Sequence, residues 1–277
     1  MRADGTTLLI GTTKGVFLIR GSASRKGWTV SGPYCEGWPI NYVIGDAQSG
    51  TLWAGGGGDW NGAGVWRWQD GGAAWEAARL TRGTQDDWAA KDPDFAAMTG
   101  WSDDPLPFGD AFSQVWSLHY AHGTLYAGAK RARLLASRDS GQSWQEVEPL
   151  AGHSSARSWN PGAAGLMLHT SVSDPGNAQK IGAGISAAGV LATEDGGKSW
   201  ERRNRLSNAE ACGPHDHPAA PRDGETGHCV HNMRRAPGST GLLYQQNHHG
   251  ARRPALTHGS AEKAHPARPA PANGRIC

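Results

Sequence analysis

The feature that most constrains this chain is an internal repeat. Leu8-Leu9-Ile10-Gly11, Leu52-Trp53-Ala54-Gly55, Leu125-Tyr126-Ala127-Gly128 and Ile181-Gly182-Ala183-Gly184 are versions of one short apolar strand that ends in glycine. A second strand follows each: Gly15-Val16-Phe17-Leu18, Gly64-Val65-Trp66-Arg67, Leu134-Leu135-Ala136-Ser137 and Gly189-Val190-Leu191-Ala192. Each unit then closes on a turn and a tryptophan, at Trp28, Trp75, Trp144 and Trp200. Another apolar strand lies upstream of three units, at residues 41–44, 114–118 and 165–169; residues 230–233 repeat it, and Leu242-Leu243-Tyr244-Gln245 opens a fifth unit. With the strand that begins at each closing tryptophan, a unit has four short antiparallel strands. A sheet that is apolar on both faces is unstable alone, so the units must stack face to face around an axis. The repeat therefore predicts an all-β β-propeller of four-stranded antiparallel blades over residues 1–250. About 4.5 blades are present, and the ring need not close. A β-sandwich with coincidental turns is the competing reading. Composition agrees with many short strands and tight turns: 40 glycines and 13 tryptophans stand against only four phenylalanines and four methionines.

The turn before the closing tryptophan carries the most specific motif. Ser137-Arg138-Asp139-Ser140-Gly141-Gln142-Ser143-Trp144 and Thr193-Glu194-Asp195-Gly196-Gly197-Lys198-Ser199-Trp200 both read S/T-x-D-x-G-x-S-W. Asp70-Gly71-Gly72-Ala73-Ala74-Trp75 is a partial copy, and residues 24–28 are a worn one. The aspartate accepts backbone N–H groups across the turn, the glycine supplies positive φ, and the tryptophan anchors the hairpin. The motif resembles the Asp-box, or BNR, repeat of sialidases, xyloglucan-active hydrolases and many non-catalytic propellers. That resemblance implies a fold with stapled turns and leaves activity open.

Residues 11–250 also resemble bacterial BNR-repeat proteins of the sialidase-like or glycosyl-hydrolase-like kind. The resemblance rests on residues 32–41, 54–66, Asp86-Asp87-Trp88-Ala89-Ala90, Asn160-Pro161-Gly162-Ala163-Ala164-Gly165 and 227–250. Such proteins run longer by roughly two blades. After Gly250 the pattern stops, and Ala251-Arg252-Arg253-Pro254 leads into a run rich in Pro, Ala, Arg and His. Residues 251–277 hold five Lys/Arg against Glu262 alone and read as a disordered basic tail. The expectation is that a frameshift or truncation replaced further blades; a natural basic tail is the alternative.

A net charge of +2 gives no argument for nucleic acid or an anionic membrane. No apolar run approaches the length of a membrane helix, and the N-terminus lacks the pattern of a signal peptide, so a cytoplasmic location is expected. Cys35, Cys212, Cys229 and Cys277 are too few and irregular for a disulfide framework.

Strand alternation sorts the loops. The stapled turns share one rim, and the long irregular insertions (residues 56–63, 82–113, 151–164, 207–228 and 247–250) share the other, where function is expected. Three constellations lie there. The first is Gly55-Gly56-Gly57-Gly58-Asp59-Trp60-Asn61, whose glycines allow close backbone approach. Its carboxylate, indole and amide suit a sugar, although a flexible hairpin tip is the plainer reading. No Lys-Ser/Thr and no helix follows, so it is not a phosphate cradle. The second is the acidic loop of Asp86, Asp87, Asp92, Asp94, Asp103, Asp104 and Asp110, interleaved with Trp88, Phe95 and Trp101. Paired carboxylates are what glycoside hydrolysis needs, while solvated loop acids are the plain alternative. Asp59, Asp86 and Asp87 are the catalytic candidates. Trp60, Asn61, Trp88, Asn160, His248 and His249 are the ligand-binding candidates.

The third constellation joins Cys212, His215, His217, His228, Cys229, His231, His248 and His249. His215, His217, His228 and His231 are candidate ligands of a transition metal; hydrogen-bonded core histidines are the alternative. No other cofactor is implied. A sialidase uses three arginines, a Tyr–Glu pair and an Asp acid. Arg20 and Arg25 lack the Arg-Ile-Pro context, and no tyrosine pairs with a glutamate in the sequence. The expected function is thus a scaffold binding a protein, glycan or small ligand through its long-loop rim, with a glycoside hydrolase on the same rim as the alternative.

Overall fold

The computed structural model describes residues 5–69, 74–159, 165–186, 188–203, 230–235, 242–246 and 250–252. The first sheet is β1 (Thr6–Thr12), β2 (Gly15–Gly21) and β3 (Trp28–Tyr34). The second is β4 (Ile40–Gly45), β5 (Leu52–Gly58), β6 (Gly62–Trp68) and β7 (Glu76–Arg79), followed by helices α1 (Thr84–Ala89) and α2 (Pro93–Thr99). The third is β8 (Val115–Ala121), β9 (Thr124–Ala129), β10 (Arg133–Ser137) and β11 (Gln145–Glu146), followed by α3 (Glu148–Ala151). The fourth is β12 (Leu168–Asp174), β13 (Asn177–Ile185), β14 (Gly189–Thr193) and β15 (Glu201–Arg202). The fifth is β16 (Val230–Arg235), β17 (Leu242–Gln246) and β18 (Gly250–Arg252). Strands pair antiparallel in chain order within every sheet.

Two periodicities turn these sheets into a propeller. Along each strand, alternate residues face opposite neighbours. Leu52 and Ala54 pack back on Val16 and Leu18 of the first sheet, while Trp53 packs forward on Val115, Leu118 and Leu125 of the third. Leu134 and Ala132 pack forward on Leu168, Ile181 and Ala183, and Val190 packs forward on Val230 and Met233. The second periodicity is the repeat glycine. A Cβ on Gly55 would come within 2.6 Å of Val115 Cγ1, and one on Gly128 within 2.5 Å of the Leu168 carbonyl oxygen. On Gly184 it would lie 2.8 Å from Val230 Cγ1, and on Gly11 2.6 Å from the Ile40 carbonyl oxygen. Each glycine is a notch that seats the first residue of the next sheet's inner strand, so inner strands β4, β8, β12 and β16 run side by side. The fold is a β-propeller whose sheets form an open arc.

The notch also places the first sheet in the repeat. β1 meets β4 as β5 meets β8, so β1 corresponds to a second strand, and among the described residues this sheet has no counterpart of β4. Its face turned away from the second sheet exposes Leu8, Trp28 and Val30.

The turns are stapled as the motif requires. Asp139 accepts from the N–H groups of Gln142 (3.0 Å) and Ser143 (2.9 Å) and from the hydroxyls of Ser137 (2.7 Å) and Ser143 (2.5 Å). Asp195 accepts from Thr193 Oγ1 (2.7 Å), Ser199 N–H (2.9 Å) and Ser199 Oγ (2.6 Å). The serine side-chain and backbone bonds hold both carboxyls well below the usual carboxylate range. Gly141 (φ 96°) and Gly197 (φ 94°) take the left-handed position. Trp144 Nε1 donates to the Gly141 carbonyl at 3.1 Å, and Trp28 Nε1 donates to Arg25 at the same distance, so the worn copy keeps its indole latch. Trp144 and Trp200 are buried and Trp75 is half-exposed against Tyr34, whereas Trp28 is 43% exposed. Asp70 lies outside the described residues. One staple crosses a seam: Trp53 Nε1 donates to the Ser140 carbonyl of the next sheet's turn at 2.9 Å.

The insertion at 82–113 is not wholly irregular. Asp92 caps α2 by accepting from Asp94 N–H and Phe95 N–H, Pro93 starts the helix, and Gly100 at φ 65° ends it.

Candidate functional site

On the long-loop rim, the β5–β6 turn, the β3–β4 connection and the 82–113 insertion enclose a cleft of about 580 Å³. Three indoles line it: Trp38, Trp60 and Trp101. Trp38 is fixed edge-on by Trp66 at 4.8 Å and carries the Arg79 guanidinium 5.9 Å over its ring. Trp60, 44% exposed, is braced by Trp88 at 5.8 Å and by Phe95 at 6.5 Å, both edge-to-face. A sugar or another ligand with an apolar face can stack on such rings, and polar groups around them can orient it.

The charges of the cleft are largely spoken for. Asp86 is buried and accepts from Arg79 Nη2 (2.7 Å), Gly83 N–H (2.8 Å) and Trp101 Nε1 (3.0 Å). Burial pushes its carboxyl up, but the Arg79 and Gly83 hydrogen bonds, the Arg79 charge and the Trp101 bond outweigh this and hold it below the usual range. Arg82 pairs with Asp103 at 3.0 Å, and Ser102 Oγ donates to Asp104 at 2.7 Å. Asp86 thus fastens α1 and Trp101 to β7, rather than standing in solvent as the composition of its loop suggests. Glu36 and Asp104 also line the cleft, and no spacing in the sequence links them.

The other expected residues fall as follows. Asp59 is 80% exposed on its side chain, with Lys130 of the next sheet's tip at 3.8 Å. Asp87 and Trp88 are exposed on α1. Asn61 is buried and donates to the Gly37 carbonyl at 3.4 Å, so its amide holds the cleft wall. In the glycine run before Asp59, Gly55 and Gly56 accommodate the protein itself, while a Cβ on Gly58 would meet open space. Gly55 seats Val115, and a Cβ on Gly56 would meet the Pro39 carbonyl oxygen at 2.0 Å. His231 is exposed on β16, its ring 4.6 Å from that of His169. Asn160, His215, His217, His228, His248 and His249, with Cys212 and Cys229, lie outside the described residues. Among the described residues, no three His, Cys, Asp or Glu side chains come together as a metal-binding group. Cys35 is a free thiol that burial pushes up to about 12, which makes it a poor nucleophile. No helix among the described residues is long and apolar enough to cross a membrane.

A second set of groups lies on the inner strands. His119 Nε2 accepts from Ser173 N–H at 3.1 Å, and burial, then the charges of His122 and Arg234, push it down to about 4. Burial, then His231, push His169 down to about 4.

The fold is a β-propeller whose long loops enclose this cleft on one rim. No protein-family model matches the sequence, and no curated protein matches it. Among solved structures, the chain is similar to Ycf48 bound to a D1 peptide, with a TM-score of 0.52 and 10% identity, over 93% of this chain and 63% of that one. Ycf48 from Cyanidioschyzon merolae gives a TM-score of 0.48 at 10% identity, over 90% and 62% of the two chains. A GH74 xyloglucanase from Xanthomonas campestris gives 0.40 at 18% identity, over 90% and 42%. The chain spans less than two thirds of the length of these proteins, and what it shares with the first of them is the fold.

Proposed function

We propose that this chain is a non-catalytic propeller of the Asp-box type that binds a neutral, glycan-like ligand in the tryptophan-lined cleft. The observation that carries the reading is the state of the cleft's charges. Its two guanidiniums are paired, by Asp86 and Asp103, while three indole rings, Glu36 and the Asp104 oxygen not bonded to Ser102 remain to face a ligand. Stacking surfaces with acceptors and no unpaired cation suit hydroxyl-rich rings better than phosphates or carboxylates. Asp86, bonded to three donors and held ionised, is a positioning residue and a poor general acid. A similar scaffold holds a peptide in the Ycf48 complex, which supports a binding role for a propeller of this kind.

The test is calorimetry against a panel of neutral oligosaccharides, with reducing-end release measured in parallel. Binding without release, weakened at least about tenfold in Trp60→Ala, is expected from the loss of one stacking ring. Turnover that disappears in Asp59→Asn or Asp87→Asn would make the protein a glycoside hydrolase. A panel with no binder would remove the glycan reading.

A further inference from the structure

We infer that His169 and His231 form a transition-metal site at the mouth of the propeller axis, separate from the cleft. All four inner strands carry a one-residue bulge at the same step. Ile40 pairs with Gly56 and Tyr42 with Gly55, which leaves Asn41 outside the ladder. Val115 and Ser117 likewise leave out Trp116, Leu168 and Thr170 leave out His169, and Val230 and Asn232 leave out His231. The residue before each bulge is the one seated in the preceding sheet's glycine notch. The notch fixes one side chain toward the seam, and the extra residue re-aims the next one, as bulges beside functional sites do.

The four re-aimed side chains form one layer. Asn41 Nδ2 reaches the Val115 carbonyl of the next inner strand at 2.9 Å. The Trp116 and His169 rings meet edge-on at 5.6 Å and 89°, and the His169 and His231 rings meet at 4.6 Å and 42°. That histidine pair lies near the spacing of two imidazoles on one ion. With metal–nitrogen bonds of about 2.0–2.1 Å, each ring centre lies roughly 3.2 Å from the metal, so tetrahedral ligands have centres about 5 Å apart. A small opening of the pair satisfies this, and the tilt already takes the rings out of a parallel stack. Two imidazoles suit Cu²⁺, Ni²⁺ or Zn²⁺ rather than Mg²⁺ or Ca²⁺, and they leave coordination positions open to water. The indole of Trp116 supports His169 from the side away from His231.

The full chain, stripped with chelator, is titrated with Cu²⁺ and followed by calorimetry and electron paramagnetic resonance. One equivalent with nitrogen splitting from two imidazoles is expected. His169→Phe and His231→Phe each keep a ring in the layer, so folding, checked by melting, is retained. Each is expected to weaken binding at least about tenfold, because each removes one of two ligands. Copper held with unchanged affinity in either variant, bound through other histidines, or not bound stoichiometrically would overturn the site.

Discussion

Replacing Asp86 separates an anchoring role from a chemical one. Asp86→Ala removes the acceptor of three donors: the Arg79 guanidinium, the Gly83 N–H and the Trp101 indole. An orphaned buried donor costs about 1–3 kcal/mol. The Arg79 side chain is 28% exposed and Trp101 is half-exposed, so water recovers part of the loss. The net cost is therefore about 3 kcal/mol, at the low end for breaking a buried pair. If the loop melts with the blades, the midpoint falls by roughly 6–12 °C. If it detaches first, the same energy appears as local opening, read by tryptic cleavage at Lys91 between α1 and α2. Asp86→Asn keeps one acceptor oxygen and falls between. The double change Arg79→Met with Asp86→Leu leaves no charge unpaired and is expected to recover the share of the loss due to Arg79, while the Gly83 N–H and the Trp101 indole stay without their acceptor. A melting midpoint within about 1 °C of the parent, together with unchanged cleavage at Lys91, would refute the anchor.

Three further outcomes follow from other bonds. Trp53→Phe loses the donor to Ser140 and part of a buried ring and is expected to cost about 2 kcal/mol in denaturant melts, whereas Trp53→Ala opens the seam and costs about 3–5 kcal/mol. Because burial holds folded His119 near 4 against 6.5 when free, its neutral state carries full stability above about pH 6.5. That stability is lost as pH falls from there toward 4, and His119→Asn is expected to flatten this part of a stability–pH profile. Asp139→Ala and Asp195→Ala each remove a turn staple and are expected to lower the melting midpoint. Their contribution is present above the ordinary carboxylate pKa of 3.8 and fades as pH falls below it.

The sequence carried the blades because each is written locally: a strand ending in glycine, a D-x-G turn and a tryptophan lie within one short stretch. The seam partners of those glycines lie one repeat away, so the role of Gly55 in seating Val115 is not visible in the run before Asp59. Helix α2 was legible in Asp92-Pro93 and Gly100, but the density of acids masked those cap signals. Asp86 could not be distinguished from its neighbours, since its burial depends on Arg79 at the end of β7 and on Trp101 beyond α2. The bulges left no mark at all: Asn41, Trp116, His169 and His231 share a position and not a chemistry, so only strand pairing reveals their kinship.

The division of the core into separate clusters, one at each meeting of sheets, has a consequence for tolerance of damage. A cavity made at Leu191 disturbs the third and fourth blades and has no direct route to Val16 or Trp66. Harm stays compartmentalised, as a leak does behind bulkheads. Each joint can therefore drift in sequence on its own, provided its glycine and the residue it receives change together.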